Sequence, residues 1–166
     1  MAALASYVRG TCPRVQITCR SEFVETSERV GRDLYDEISN SAYRVGEMMY
    51  TSLLYPEKSG EVRGRFAEWA PEVLAGKGVA PAEDWGAVFD STRKILLEDL
   101  EALAEELASS ADVVGLTTCF GQLFANLTLA QAVKRRAPGV VIVFGGSTVS
   151  GRVGPSILTE YACVDY

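Results

Sequence analysis

The chain contains no histidine. That absence removes the Ser-His-Asp triad, the Cys-His dyad and imidazole metal ligands together. Cysteine is scarce too. Cys12, Cys19, Cys119 and Cys163 form no C-x-x-C or C-x-x-x-C-x-x-C pair, so no zinc or iron–sulfur signature is present. Cys19, Cys119 and Cys163 fall in or beside apolar runs and are expected as small buried hydrophobes. No apolar run approaches the roughly 20 residues that span a bilayer. Met1 to Arg9 lacks the basic start and long apolar stretch of a signal peptide, so a cytoplasmic protein with reduced thiols is expected. Positive charge is in deficit, with a net charge of −6. This argues against nucleic acid, which wants a basic face. The densest cationic spot, Lys134-Arg135-Arg136, suits the last turn of a helix, where cations complement the helix dipole.

At 166 residues with 48% apolar residues, the chain has the size of one domain with a useful core. Ala2 to Val8 suits a short helix. Val15 to Cys19 alternates, is β-branched and predicts a strand. A helix is expected from Ser27 to about Ser39, with Val30, Leu34 and Ile38 in one row. A second is expected from about Tyr43 to Tyr55, ended by Pro56, with Val45, Met48, Met49, Ser52 and Leu53 facing inward. Glu61 to Trp69 is a further helix, and Pro71 to Asp84 reads as irregular. The longest helix is expected from Trp85 to about Leu107, striped by Val88, Ile95, Leu96, Leu100, Leu103 and Leu107.

The C-terminal third changes character. Val113 to Thr117 is a strand and Leu123 to Arg136 a helix bearing Leu127, Ala130 and Val133 on one face. Val140 to Phe144 is an apolar strand of the kind buried on both faces of a parallel sheet. Pro155 to Tyr161 is a helix, and Cys163 to Asp165 begins one more strand. The alternation implies βαβ units and an α/β fold with an open parallel sheet. One domain over residues 1–166 is therefore expected, with a helical insert at about 27–109 and a parallel α/β run at 111–166.

In such a sheet, ligands sit outside the carboxyl ends of the strands. The two loops there are Thr117 to Gln122 and Gly145 to Gly154. The second, "FGGSTVSGRVG", is neither a G-x-G-x-x-G fingerprint in its proper place nor a P-loop, and a glycine turn leaving a crowded sheet is its plain reading. A dinucleotide or flavin binder is disfavoured for the same reason. The two loops belong together, however. A strand ending in G-L-T-T, followed by one ending in G-G with Gly145 28 positions after Thr117, resembles the second and third signatures of cobalamin-binding Rossmann-like domains. The D-x-H-x-x-G signature of the best-known branch is absent.

A closer resemblance covers most of the chain. The segment from Ala111 to Tyr166 is similar to the N-terminal domain of cobalamin-dependent radical S-adenosylmethionine (SAM) enzymes, of the group that C-methylates ribosomally made peptides. The family's G-[FL]-[ST]-x-x-F-x-Q segment falls at Gly115 to Gln122, and its N/S-L-x-L-A helix at Asn126 to Ala130. Its P-x-x-x-I-V-x-G-G strand falls at Pro138 to Gly146, and its later m-G and v-D-Y at Val153-Gly154 and Val164 to Tyr166. "GRDLYDEISNSAYRVGEMMYTSLLY" resembles, more loosely, the G-x-x-x-Y…G-E-x-x-F/Y pattern of its helical insert.

The resemblance implies a flavodoxin-like open sheet and a cobalamin cofactor. It implies that Thr117 and Thr118 bond the nucleotide tail or ring amides, and that Gln122 and Asn126 meet the corrin. It also implies that Gly145, Gly146 and Ser147 border the tail, with Gly154 near its end. Helix capping is the plain alternative for Gln122 and Asn126. With no histidine, the chain supplies no imidazole to cobalt. The family's opening strand has no counterpart here. The radical domain's cysteine motif is absent, so no iron–sulfur cluster, and no catalysis by this chain alone, is expected. The expected partners are cobalamin, a radical SAM domain or precursor peptide, and a second copy filling the missing strand's place. The rival expectation is a degenerate interaction domain that binds no cofactor and docks on a peptide or partner enzyme.

Overall fold

The computed structural model describes residues 2–41, 43–74, 79 and 82–166. It is a mostly helical α/β structure around a small parallel sheet. The helices are α1 (Ala2–Thr11), α2 (Phe23–Val30), α3 (Arg32–Asp36), α4 (Tyr43–Leu54), α5 (Ser59–Leu74) and α6 (Trp85–Ser110). Then follow β1 (Val113–Thr117), α7 (Leu123–Arg136), β2 (Val141–Gly145) and α8 (Val153–Glu160). No helix among the described residues is long and apolar enough to cross a membrane.

Strands β1 and β2 are parallel, with Val113 opposite Val141 and Thr117 opposite Gly145. Residues Val114, Ile142 and Phe144 face one side and join a core with Leu54, Leu100, Ala104, Leu127, Val133 and Ile157. Every helix in that core therefore lies on this one side. The opposite side presents Val113, Gly115, Thr117, Val141 and Val143, none of which enters either core cluster. Val113 is 58% exposed. The double-sided burial expected of β2 is thus not met among the described residues. The helices form one layer, and Gly115 and Gly145 have nothing near the Cβ direction that a second layer would fill.

A second core belongs to the helices alone. Ile38, Val45, Met49, Phe66, Ala70, Leu74, Phe89 and Leu96 form it, with the Phe66 and Phe89 rings 5.4 Å apart. Asp84 caps α6 by accepting from Gly86 N (2.8 Å) and Ala87 N (3.1 Å). The buried stripe of α6 is Phe89, Thr92, Leu96, Leu100 and Ala104, one position round from the expected one. Val88, Leu103 and Leu107 border the cores.

Several expectations are corrected. Val15 to Cys19 has no regular secondary structure and is not a strand. A strand exists only by pairing, and no strand pairs with this segment among the described residues. The helix expected from Ser27 starts at Phe23 and breaks at Gly31, whose φ of 98° suits glycine. It restarts as α3 and widens into a π turn at Glu37–Ser41. Helix α5 runs through Pro71 to Leu74. Of the irregular run expected at 71–84, residues 75–78, 80 and 81 lie outside the described residues. Cys19 is exposed, as is Cys12, whereas Cys163 is buried and Cys119 lies between.

The strand expected at Cys163 to Asp165 does not form, because residues 162 and 163 turn instead. Pairing begins two residues later. Tyr166 N donates to Ile142 O (3.2 Å) and Phe144 N donates to Tyr166 O (2.8 Å), the alternation of a parallel ladder. The Asp165 carboxylate anchors this approach. It accepts from Ile142 N (2.6 Å) and pairs with Lys134 Nζ (2.8 Å). The basic end of α7 is otherwise engaged with Glu101 of α6 through Arg135 and Arg136, in keeping with the dipole-complementing role.

The Ile142 N–H, and then Lys134, hold the Asp165 carboxyl below the usual carboxylate range. A depressed folded-state pKa contributes stability at neutral pH that is lost as pH falls through the carboxylate range. Thermal unfolding followed between about pH 7 and pH 3 should therefore decline less steeply in Asp165→Asn than in wild type. Equal slopes would separate this carboxylate from the stability of the sheet.

Candidate functional site

The carboxyl ends of β1 and β2 lie side by side because the register pairs Thr117 with Gly145. The loops that leave them are joined rather than parted. Thr118 N donates to Gly145 O (2.5 Å), and Thr148 N donates to Thr118 O (3.1 Å). Thr118 is fully buried. Its hydroxyl accepts from the Asn126 side-chain amide (2.9 Å), which also donates to Thr117 O (3.0 Å). Asn126 sits just inside α7, so one amide ties the helix to the strand end from which it departs.

Gly146 is the other half of this clasp. Its φ is 113°, and a Cβ there would stand 2.6 Å from Thr118 O. Both facts require glycine. The space above Gly146 is therefore filled by the Thr118 backbone and is no open slot. Gly154 similarly approaches Val149 O, at 2.7 Å from where its Cβ would lie. Gly145 differs. It is exposed, and nothing lies within 4 Å of its Cβ direction.

Gln122 accepts from Cys119 N (2.9 Å) through its side chain, and its own backbone N–H meets the Cys119 sulfur. This reciprocal pair is a capping box built with cysteine in the serine position. The structure thus brings Thr117, Thr118, Asn126, Gly145 and Gly146 together, with Ser147 and Gln122 at the rim. Thr118, Asn126 and the Gln122 amide oxygen are engaged in holding the loops. Thr117, Gly145, Ser147 and Gln122 are exposed, and the Ser147 hydroxyl reaches the Cys119 sulfur. Gly154 stands at the start of α8.

Cys119 and Phe120 are what the sequence reading missed. Cys119 is half-buried, and the Ser147 backbone N–H and hydroxyl lower its thiol pKa. The C-x-x-Q spacing at the turn is the signal that points to its capping role. Phe120 is 87% exposed with a φ of 45°, a left-handed conformation unusual for an aromatic residue. Among the described residues, no group of three or more Cys, Asp or Glu is placed to hold a metal ion. Two cavities lie away from these loops, one of about 260 Å³ beside Leu34, Trp85 and Val88 and one of about 390 Å³ beside Ser110, Asp112 and Gly139.

Compared with protein-family models, curated proteins and solved structures, the chain matches none.

Two outcomes test this geometry. Gly146→Ala should destabilise the fold by about 1–3 kcal/mol in chemical denaturation, since it strikes backbone and holds alanine at a disfavoured φ. A smaller loss would mean that the loops part easily. In a Cys12→Ser, Cys19→Ser background, iodoacetamide should alkylate Cys119 with a midpoint pH below that of an ordinary thiol, because the thiolate is the nucleophile. Ser147→Ala, which removes the hydroxyl donor, should raise that midpoint. No movement would mean that the hydroxyl does not reach the sulfur in solution.

Proposed function

We propose that the chain is a cobalamin-binding module serving a radical SAM peptide C-methyltransferase, built on a Rossmann-like, flavodoxin-like sheet. The observation that carries this reading is the pairing of Thr117 with Gly145. It sets a hydroxyl-bearing strand exit against a Gly-Gly exit, as the motif resemblance over Gly115 to Gln122 and Pro138 to Gly146 implies.

The residues suit a group lying across the rim. Gly145 offers bare backbone with open space above it, and Thr117, Ser147 and Gln122 are exposed around it. They do not suit one inserted between the loops unless Thr118 first parts from Gly145 and Thr148. Thr118 and Asn126 are then positioning residues that hold the rim in place. Gly146 and Gly154 keep the turns tight. Cobalamin would supply the methyl-carrying metal centre, and this chain would supply the surface that orients it, with no imidazole toward cobalt.

A second reading has its own support. The closed clasp at Thr118, together with a sheet left open on one face, favours an interaction domain that binds no cofactor and docks on a precursor peptide or partner enzyme.

Titration with hydroxocobalamin, followed by its visible spectrum, separates the two. Gly145→Leu is the informative variant, since the fold has room for the side chain and a ligand on the rim does not. Wild type should bind saturably, Gly145→Leu at least about tenfold more weakly with unchanged thermal stability. Thr117→Ala should lose about 0.5–1.5 kcal/mol, one neutral hydrogen bond. No binding by wild type, or equal binding by wild type and Gly145→Leu, would overturn the cobalamin reading at this rim.

A further inference from the structure

The β1–β2 register, with Val141 N donating to Asp112 O, directs the backbone groups of Val113 and Gly115 away from β2. No strand lies on that edge among the described residues, and those groups have no partner there. An open edge of this kind is a template for another strand.

The same chain holds a segment of strand-like sequence without an edge to pair with. Val15 to Cys19 is exposed apart from half-buried Ile17. Val15 N donates to Cys12 O (2.9 Å), and Ile17 O accepts from Arg9 Nη2 (2.8 Å). Drawn out as a strand, the segment would turn the backbone groups of alternate residues to opposite sides. One side, at Val15 and Ile17, is in use. On the other, the groups of Gln16 and Thr18 have no partner among the described residues.

The segment is also anchored at the right place. Arg20 pairs with Glu106 (2.5 Å), near the end of α6, which leads directly into β1. From there Thr26 and Arg29 meet Asp99, and Arg29 meets Glu98, so α2 runs antiparallel to α6. Continued beyond Arg20 in the same sense, residues 15–19 would reach the foot of β1 from the opposite direction.

We propose that Val15–Cys19 is a strap that closes on the free edge of β1 as an antiparallel strand of the same chain, with Thr18 paired to Val113 and Gln16 to Gly115. This register places Ile17 beside Val114 and Val15 beside Leu116, on the covered face where Val114 is already buried. Gln16 and Thr18 then face water, so the alternation of the segment matches the two faces of the sheet. The bonds at Val15 N and Ile17 O point outward and survive. The Arg20–Glu106 pair serves as the hinge. Tethering to the same molecule gives the strap an effective concentration that a second copy must match from solution. An antiparallel edge strand on a parallel sheet is a common arrangement.

The test is a disulfide far from the hinge. Val15→Cys with Leu116→Cys, in a background with Cys12, Cys19 and Cys119 changed to Ser, places the two cysteines in a non-hydrogen-bonded antiparallel pair. Such pairs have Cα atoms about 4.5 Å apart, within disulfide range. After mild oxidation, non-reducing electrophoresis and peptide mass mapping should show a monomer with the 15–116 bond. Gln16→Cys with Leu116→Cys should show none, because residue 16 points to the other face. Absence of the 15–116 bond, or its formation only between two chains, would overturn the proposal. Amide exchange supplies a second measurement on the unmodified protein. The Gly115 amide should exchange at least about tenfold more slowly than in Thr18→Pro, which cannot pair there. Equal rates in the two proteins would also overturn it.

Discussion

The structure depends on a helix that is buried on two sides. Helix α7 carries Leu127, Thr128, Leu129, Ala130, Ala132 and Val133 all out of water. One side covers the sheet and the other receives α4 and α6. The small side chains at Ala130 and Ala132 let neighbouring elements approach closely, and the Thr128 hydroxyl is satisfied within the helix by Phe124 O (2.7 Å). Because α7 also joins β1 to β2, its packing holds the two strands in register. The carboxyl ends of the strands, and the loops that leave them, are held by the same contact.

That arrangement leaves an asymmetric sheet. A parallel sheet normally buries both faces. Here the helices crowd one face and leave Val113, Val141 and Val143 on the other, while one edge of β1 has no strand partner among the described residues. The apolar cost of exposed Val113 and the polar cost of backbone groups without a strand partner among the described residues fall at the same corner. The opposite edge, at β2, receives Asp165 and Tyr166 instead. Polar contacts between helices do the remaining joining, notably Arg93 with Ser52 and the two arginines of α7 with Glu101. Exposed ion pairs of this kind contribute little each, so the two apolar clusters carry the fold.

At the strand ends, the closeness of the loops follows from Thr118. One buried threonine presents its N–H, carbonyl and hydroxyl to Gly145, Thr148 and Asn126 respectively. A residue expected to meet a ligand is instead the fastening of the rim. Thr117, Gly145 and Ser147 are the exposed residues of the rim.

Periodicity by itself determined β1 and α7 in the C-terminal third. The apolar run at Val113 to Thr117 and the 3.6-residue pattern at Leu123 to Arg136 each correspond to one observed element, because local hydrophobic period and helix propensity act within the segment itself. Gly145-Gly146 likewise marked the end of β2. Tertiary structure alone decided the rest. Val15 to Cys19 has every local mark of a strand, yet a strand needs a partner edge that local sequence cannot supply. The one-step rotation of the α6 stripe toward Phe89 and Ala104 was set by what packed against it. The roles of Thr118, Asn126 and Gly146 rest on contacts between loops 28 positions apart in the chain (Thr118 to Gly146). Residue type suggested polar ligand contacts there, and only the parallel register revealed that those groups bond to one another.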